Sequence, residues 1–576
     1  MSSERFVPVA DVADLEREGH RVVTEGGHTV ALFHHEGRVY AVDNRCPHMG
    51  FPLAEGTVDD GVLTCHWHHA RFELACGDTF DPWADDVRTF PVEVRDGQVY
   101  LDPDPEPDVP PETHWRNRLA DGLHENLPLV VAKAVLGLTA EGADPTLPLR
   151  VGAEFGTTYR DAGWGPGLTV LTAMANVLDD LDPDDRPRAL FVGLGEVADG
   201  CAGEPPRFGQ HALGNADADP DRLRTWFRDA VETRDADAAE RVLRTAVAAR
   251  PPEEVAGLLL AAATDAIYLD SGHTLDFTNK AFEMLDHLGW DRADDVLASL
   301  VDGYTGATRH EELSAWRQPV DLAELVFDVH DDLPALVAAG EGNAWTRPPG
   351  FVEALLADDP HEVRDAVVAA IEDGATTEQL AAAVASAAAR RVAQFGTANE
   401  FSDWNTVHHT FTYANAVCGL CSRTDDPSGY RAALHGAMSV YLDRFLNTPP
   451  APLPGPTDST RDPAAVRTDL LETFDEQGMI DRAGRLAAEH DDVGGDPADL
   501  KRALGRGLLR EDAGFHELQA LEAAFAQFDR AETARDRRTA FVAVARYLAA
   551  HFPTRREREQ TYTIAARLRR GETIHE

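Results

Sequence analysis

The stretch that decides the fold is Cys46-Pro47-His48, followed after a gap of sixteen residues by Cys65-His66-Trp67-His68. Each half joins one cysteine to histidine at short spacing, and each follows a β-like run of residues. Cysteine is rare in this chain, with 6 among 576 residues, so two such pairs are a specific signal. Thiolate and imidazole are both good ligands for transition metals, and the pattern therefore predicts a metal site.

This pattern resembles the Rieske family, in which two cysteines bind one iron of a [2Fe-2S] cluster and two histidines bind the other. The resemblance implies Cys46 and Cys65 as ligands of one iron, and His48 and His68 as ligands of the second. Neutral imidazole raises the reduction potential relative to a cluster held by cysteine alone. A zinc site is the alternative, but zinc fingers usually pair Cys with Cys and His with His.

The resemblance also indicates a subtype. Rieske proteins of cytochrome complexes carry a disulfide across the cluster loops and a serine near a bridging sulfide. The matching positions here are Phe51 and Trp67 for the disulfide, and Ala70 for the serine. Fewer hydrogen bonds to sulfur stabilise the reduced state less, so we expect a ferredoxin or oxygenase type, toward the low end of about −150 to +300 mV. His66 and His69 are expected to flank the ligands without binding iron.

The chain is strongly acidic, with a formal net charge of −47 from 100 acidic and 53 basic residues, and it has lysine only at 133, 280 and 501. This composition is typical of halophilic proteins that work in molar salt, and we expect structure to be lost in low salt. The acidity argues against nucleic-acid binding, which needs clustered Lys and Arg. No apolar run reaches the roughly 18 residues of a membrane helix, so we expect no membrane partner. The first residues lack a targeting signal, and cytoplasmic localisation is the prediction.

Composition changes along the chain and predicts a multidomain protein, an all-β Rieske domain followed by a large all-α helical region. Residues 1–103 contain short β-type runs between Gly-rich or acidic turns, and 104–112 form a Pro/acid linker. Helical periodicity follows, interrupted by a Pro-rich linker at 448–465. We therefore predict a helical domain at 113–447 and a C-terminal helical subdomain at 466–576.

Some local elements are predicted sharply. Asp96-Gly97 between alternating apolar residues indicates a hairpin. The clearest helical segments are 362–372, 377–394 and 464–476, and Thr376 before the second has N-cap chemistry.

Rieske oxygenases also carry a mononuclear iron, usually marked by Asp-x-x-His-x-x-x-x-His. The stretch Asp270-Ser271-Gly272-His273 begins this motif, but Thr278 stands at the second histidine position. Asp121-Gly122-Leu123-His124 also begins it, but Leu129 stands there. The oxygenase catalytic domain is α/β rather than helical, so the resemblance does not extend to it.

Three helical segments nevertheless place histidine on an apolar stripe. They contain His273, His409 with His408 on the adjoining face, and His435. Imidazoles from separate helices can meet in a bundle core and hold a metal, usually with a carboxylate. The candidate carboxylates are Asp270, Asp276, Glu283 and Asp443. Two interpretations stay open, a second metal or substrate pocket in the helical region, or hydrogen-bonded core histidines.

We therefore expect a Rieske-type electron-transfer protein that receives electrons from an external reductase or ferredoxin and feeds an oxidoreductase site in the helical region. The alternative is an electron carrier or redox-responsive interaction protein with a non-catalytic helical body. A purely structural cluster is a third interpretation. The sequence contains no Walker A loop and no Gly-x-Gly-x-x-Gly loop, so no nucleotide cofactor is predicted.

Overall fold

The protein has a small β domain near its N-terminus and a large helical region after it, which confirms the predicted fold class. The computed structural model describes residues 5–107, 109–214, 219–572 and 574. None of the described helices is both long and apolar enough to span a lipid bilayer.

The strands of the described chain form three antiparallel sheets of three strands each. Their strand orders are β1-β9-β8, β2-β3-β4 and β5-β6-β7, with bounds β1 (Val7–Asp11), β2 (His20–Glu25), β3 (His28–His35), β4 (Arg38–Asp43), β5 (Thr57–Asp59), β6 (Val62–Thr64), β7 (Arg71–Glu73), β8 (Val92–Arg95) and β9 (Gln98–Leu101). Asp96 and Gly97 join β8 to β9 with φ of 50° and 79°, which confirms the predicted hairpin.

Two apolar cores fill the β domain. One is built around Val30, Leu32 and Val99, all fully buried between the strands. The other contains Cys46 and Cys65 among buried apolar side chains such as Phe72. The two cysteines of the predicted site are therefore part of a packed core rather than a surface loop.

Apart from α1, the helices of the described chain follow the β domain, in the region where the sequence predicted them. Their bounds are α1 (Val12–Glu18), α2 (Pro111–His124), α3 (Pro128–Ala140), α4 (Thr146–Thr158), α5 (Pro166–Asn176), α6 (Arg186–Cys201), α7 (Pro220–Glu232), α8 (Ala236–Ala249), α9 (Pro252–Ala263), α10 (His273–Leu288), α11 (Ala293–Ala298), α12 (Val301–Thr305), α13 (Ser314–Arg317), α14 (Leu322–Gly340), α15 (Phe351–Leu355), α16 (Pro360–Glu372), α17 (Thr377–Ala393), α18 (Phe401–Cys421), α19 (Ser428–Asp443), α20 (Pro463–Thr473), α21 (Ile480–Asp492), α22 (Pro497–Leu509), α23 (Phe515–Arg530), α24 (Ala534–His551) and α25 (Glu557–Arg569).

The three sharply predicted helices are present as α16, α17 and α20. Pro360 and Pro463 stand at their first positions, where a missing N–H costs nothing, so α16 and α20 begin slightly before the predicted segments. Thr376 accepts a hydrogen bond from the Gln379 amide, and the Gln379 side chain accepts one from the Thr376 amide. This capping box fixes the start of α17 as predicted.

Residue contacts group the chain into two compact units. One comprises residues 1–151 with 559–576, and the other comprises 152–558. In the first unit, α2, α3 and the last turns of α25 accompany the β domain. In the second, the long helix α18 packs against α10, α17, α19 and α23. The predicted domain boundaries at 103, 447 and 466 stay predictions.

All three lysines of the chain are buried. Lys280 contacts two carboxylates, and Lys501 lies between Asp180 and Asp529. Lys133 donates to backbone carbonyls in the first unit. Each lysine is therefore a buried cation with fixed hydrogen-bond partners. The arginines carry the positive charge at the other basic positions.

Candidate metal centres

The two loops that carry the predicted ligands have the same backbone geometry. The Cys46 amide donates to the Phe51 carbonyl, and the Gly50 amide donates back to the Cys46 carbonyl, both at 2.8 Å. In the second loop the Cys65 amide donates to Ala70 and the His69 amide to Cys65, at 2.8 and 3.1 Å. Gly50 and His69 occupy the same loop position, with φ of 84° and 64°. Left-handed backbone favours glycine, so His69 holds this turn at some cost in strain.

These loops bring the four predicted ligands together. Cys46 and Cys65 are both buried. Interaction with the Cys65 thiol raises the pKa of the Cys46 thiol, with burial adding to it, and the same interaction lowers the pKa of Cys65 to about 6. The rings of His48 and His68 are 4.9 Å apart and nearly perpendicular. Two soft thiol ligands and two imidazoles thus converge from two loops, a donor set suited to iron.

The His48 ring has a free ligand atom in a buried position. Its Nδ1 is buried without a hydrogen-bond partner, and Trp83 packs edge-on against the ring at 4.7 Å. Burial lowers the pKa of His48 to about 4, with smaller contributions from Lys133 and His68. A neutral imidazole with an unused nitrogen fits a cluster ligand, because an orphaned buried nitrogen is otherwise costly.

Lys133 of α3 supports the first ligand loop from outside the β fold. Its Nζ donates to the carbonyl oxygens of Pro47 and His48, at 2.7 and 2.6 Å. Burial lowers the pKa of this amine. Sequence reasoning missed Lys133, although a lysine inside the apolar helix 128–140 of a chain with three lysines was a usable signal.

The last described residues also contact the first ligand loop. Arg45 donates to the carbonyl oxygens of Leu568 and Glu572, at 2.8 and 2.5 Å. On another side, Arg118 of α2 donates to Asp85 at 2.5 Å, in a largely buried ion pair. The first ligand loop is therefore held by residues distant in the sequence as well as by its own turn.

The side chains at the positions of that disulfide and that serine pack within the β domain. Phe51 and Trp67 face each other with ring centroids 6.0 Å apart, and Ala70 is fully buried. All cysteines of the chain are free. His66 and His69 are exposed at the domain surface.

Comparison with known proteins agrees with this geometry. The family model of the Rieske [2Fe-2S] domain matches residues 5–91. The ferredoxin component of the alkene monooxygenase system of Xanthobacter autotrophicus is 37% identical over 103 residues, which cover 18% of this chain and 84% of that protein. The chain belongs to the Rieske [2Fe-2S] family.

Other relatives match the same Rieske domain. The 3-phenylpropionate/cinnamic acid dioxygenase ferredoxin subunit of Photorhabdus laumondii is 38% identical over 95 residues, 16% of this chain and 90% of that protein. A solved complex of reduced oxygenase and oxidized ferredoxin in carbazole 1,9a-dioxygenase matches at 26% identity, over 18% of this chain and 100% of that one, with a TM-score of 0.18. These matches concern the Rieske domain and leave the function of the helical region unassigned.

In the helical region the structure brings together two of the predicted histidines and a third that sequence reasoning missed. One ring nitrogen from each of His273, His409 and His516 lies within 4.8 Å of the others. The fully buried ring of His408 lies beside them, 5.5 Å from the His516 ring. His516 is the second residue of α23 and lies on the same helix face as the buried Ala520 and Ala523, a usable signal that sequence reasoning missed.

His435 does not join this group. Its Nε2 lies 3.2 Å from Nε2 of His330 on α14. Burial lowers the pKa of both imidazoles, to about 3 for His330. Helical periodicity indicated the buried face of α19 correctly, but it could not tell which helix lies opposite.

The four predicted carboxylates either form hydrogen bonds with other residues or lie outside the three-histidine group. Asp276 accepts a hydrogen bond from Gln519 at 2.6 Å, and burial raises its pKa to about 6. Glu283 accepts from Lys280 at 2.7 Å. Asp443 lines a cavity and Asp270 precedes His273 in a strained turn. None of the four belongs to the three-histidine group.

Proposed function

We propose that the Rieske domain is a one-electron carrier, with Cys46, Cys65, His48 and His68 as the ligands of a [2Fe-2S] cluster. The observation that carries this proposal is the convergence of these four side chains from two loops with the same backbone hydrogen-bond pattern. The buried Nδ1 of His48 also has no hydrogen-bond partner. The similarity of residues 5–91 to ferredoxin components supports it. When bound, such a cluster accepts and releases single electrons.

Different residues of the domain would have different roles in electron transfer. The buried cysteines sit in an apolar core that excludes water from the sulfur side. His68 is exposed, so its ring offers the edge at which a donor or acceptor approaches. The cation of Lys133 stabilises added negative charge on the same loop, because its ammonium lies in a water-poor position.

We further propose an external reductase or ferredoxin as the electron donor and an oxidoreductase site in the helical region as the acceptor. The cluster of neutral histidines beside a cavity supports a reactive site there. The alternative is an electron carrier or redox-responsive interaction protein whose helical region only docks partners. Cytoplasmic localisation, a halophilic source and the absence of nucleic-acid binding stay predictions from composition.

The ligand assignment is tested by measuring iron and acid-labile sulfide, with visible and EPR spectra, on protein purified anaerobically in molar KCl. We expect about two irons and two sulfides per chain, as a [2Fe-2S] cluster requires. Cys65→Ser and His68→Ala should lose the cluster, whereas His66→Ala, an exposed histidine two residues away, should keep it. An intact cluster in His68→Ala, or its loss in His66→Ala, would contradict the assignment.

The acceptor is tested by reducing the cluster chemically and following its reoxidation in the intact chain. Reoxidation that slows on His409→Ala, with the cluster content unchanged, supports an acceptor in the helical region. Identical rates in wild type and variant would favour the carrier interpretation.

A further inference from the structure

Three histidines of the helical region meet at one point although they come from distant parts of the chain. His273 is the first residue of α10, His409 lies in the middle of α18, and His516 is the second residue of α23. The Nε2 atoms of His409 and His516 are 2.8 Å apart, and the His273 ring centroid is 4.6 Å from that of His409. All three side chains are half-buried. The packing of α18 against α10 and α23 holds this arrangement.

Burial disfavours the charged form of all three imidazoles. Burial lowers the pKa of His273, and it lowers the pKa of His409 to about 3 and of His516 to about 4. A neutral imidazole carries a lone pair on one nitrogen, so the group presents lone pairs at close range. One hydrogen bond between His409 and His516 leaves the lone pair of at least one ring without a proton donor from the group. Close by, Nε2 of the fully buried His408 has no hydrogen-bond partner.

We propose that His273, His409 and His516 bind one divalent first-row transition-metal ion, whose open coordination position faces a mostly apolar pocket for a small organic ligand. Imidazole suits iron, zinc, copper and nickel, and three protein ligands leave a position free for water or substrate. The proposal concerns the helical unit alone and goes beyond electron transfer by the Rieske domain. It stands or falls independently of the cluster ligands.

The distances suit such an ion. Metal–nitrogen bonds of 2.0–2.1 Å in a tetrahedral site place two ligand nitrogens about 3.3 Å apart. The observed separations, from 2.8 Å to at most 4.8 Å, bracket this value. Small rotations of half-buried rings would therefore form the site without moving a helix.

A cavity of about 630 Å³ adjoins the group, with His409 in its wall. This volume is within the range of small-molecule sites. Apolar side chains such as Trp316 and Leu442 form much of the lining, while Ser271, His310 and Asp443 are among its polar groups. The wall therefore fits an organic molecule that is largely apolar and carries hydrogen-bonding groups.

The polar side of the cavity is built with a fixed orientation. The indole N–H of Trp316 donates to Nδ1 of His310 at 3.1 Å, so that nitrogen accepts. Nε2 of His310 lies 3.2 Å from the Ser271 amide nitrogen and 3.3 Å from the Ser271 hydroxyl. The chain leading to His273 is strained, since Tyr268, Asp270 and Ser271 have φ of 48°, 48° and 56°. Strain in ordered backbone is common at binding and catalytic sites.

The first experiment measures total metal against acid-labile sulfide in the full chain, purified anaerobically in molar KCl. A stoichiometric metal in excess of the sulfide-bound iron is expected. In Cys65→Ser the cluster should be lost while this second metal remains, which separates a failure of the cluster assignment from a failure of this one.

The second experiment removes the extra metal by a chelator and titrates Co²⁺, followed by its d–d absorption. Wild type should bind one Co²⁺ per chain, and His409→Ala and His516→Ala should weaken binding by at least about 100-fold. His516→Asp offers a carboxylate in place of the imidazole and should restore binding, which an unfolding defect would not allow. His435→Ala is the matched control, since it removes a buried imidazole that pairs with His330 instead.

The third experiment probes the open position and the pocket on the Co²⁺ form. Azide and benzohydroxamate should both change its spectrum, and Leu442→Trp, which fills the pocket, should remove only the benzohydroxamate response. Equal Co²⁺ binding by wild type and both alanine variants, or no binding at all, would overturn the metal site. A benzohydroxamate response unchanged by Leu442→Trp, or absent from wild type, would overturn the pocket.

Discussion

Lys133 donates a hydrogen bond of 2.6 Å to the carbonyl oxygen of His48. The lysine belongs to a helix 85 residues further along the chain, and its amine is almost entirely buried. A fixed cation thus lies under the loop that carries one cysteine and one histidine of the proposed cluster. Two Rieske domains with similar ligand loops can therefore differ in the reduction potential of the cluster when only one of them has such a helix outside its β fold.

The first prediction concerns the reduction potential. Lys133→Met removes a positive charge that favours the more negative, reduced cluster, so the potential should fall by on the order of 50 mV. Protein-film voltammetry or a redox titration followed by EPR measures this. Lys133→Arg keeps the charge and should stay near wild type. A potential unchanged in the methionine variant would mean that solvent screens the lysine.

A second prediction concerns Lys280, which is 1% exposed and contacts Glu283 and Glu522 at 2.7 and 2.8 Å. Lys280→Met leaves two buried carboxylates facing each other without a cation. The free energy of unfolding should drop by about 3–5 kcal/mol, measured by guanidinium denaturation in molar KCl.

The matched control for this prediction removes the carboxylate charges as well. Lys280→Met combined with Glu283→Gln and Glu522→Gln should recover most of the lost stability, since no unpaired charge stays buried. A triple variant no more stable than Lys280→Met would show that the lysine acts through packing and not through charge.

The third prediction concerns pH. Burial raises the pKa of Asp443 to about 8, against hydrogen bonding from Thr410 and the charge of Arg391, while Tyr268 also faces it. The folded state therefore holds a proton that the unfolded state releases near pH 4. The stability from this group is full below pH 4 and is lost as pH rises through 8.

Asp443→Asn removes this titration. Between pH 5 and 9 wild type should lose on the order of a few kcal/mol more unfolding free energy than the variant, measured by denaturation at each pH. Parallel stability curves for the two proteins would show that Asp443 ionises normally in the folded state.

The fourth prediction concerns salt. A net charge of −47 produces strong self-repulsion, which molar salt screens over a Debye length of about 3 Å. The melting temperature should therefore fall steeply between 2 M KCl and dilute buffer. Sucrose of equal osmolality serves as a control and should not replace the salt. A melting temperature independent of KCl would remove the argument for a halophilic protein.

The features that could be predicted from the sequence are those formed by residues close together in the chain. The two Cys/His pairs, the Asp96-Gly97 hairpin and the Thr376 capping box all involve residues a few positions apart, and geometry over such distances is local. Lys133 could not be predicted as a partner of the first ligand loop, because its position depends on how a helix packs on a β domain.

The histidines of the helical region show the same limit. Periodicity put His273, His409 and His435 on buried faces, yet only the first two meet. His516, on the same face of α23 as the buried Ala520 and Ala523, completes their group from a third helix. Tertiary packing decides which buried helix faces lie opposite each other. Periodicity in a single sequence identifies a buried face but not the helix that packs against it.

The hydrogen bonds from Arg45 to Leu568 and Glu572 join residues 523 and 527 positions apart. During synthesis the β domain leaves the ribosome long before these partners exist. Its first ligand loop then lacks these two hydrogen bonds until residues 568 and 572 have been translated. A ribosome that stalls before residue 568 would therefore release a Rieske domain whose first ligand loop is not held by them.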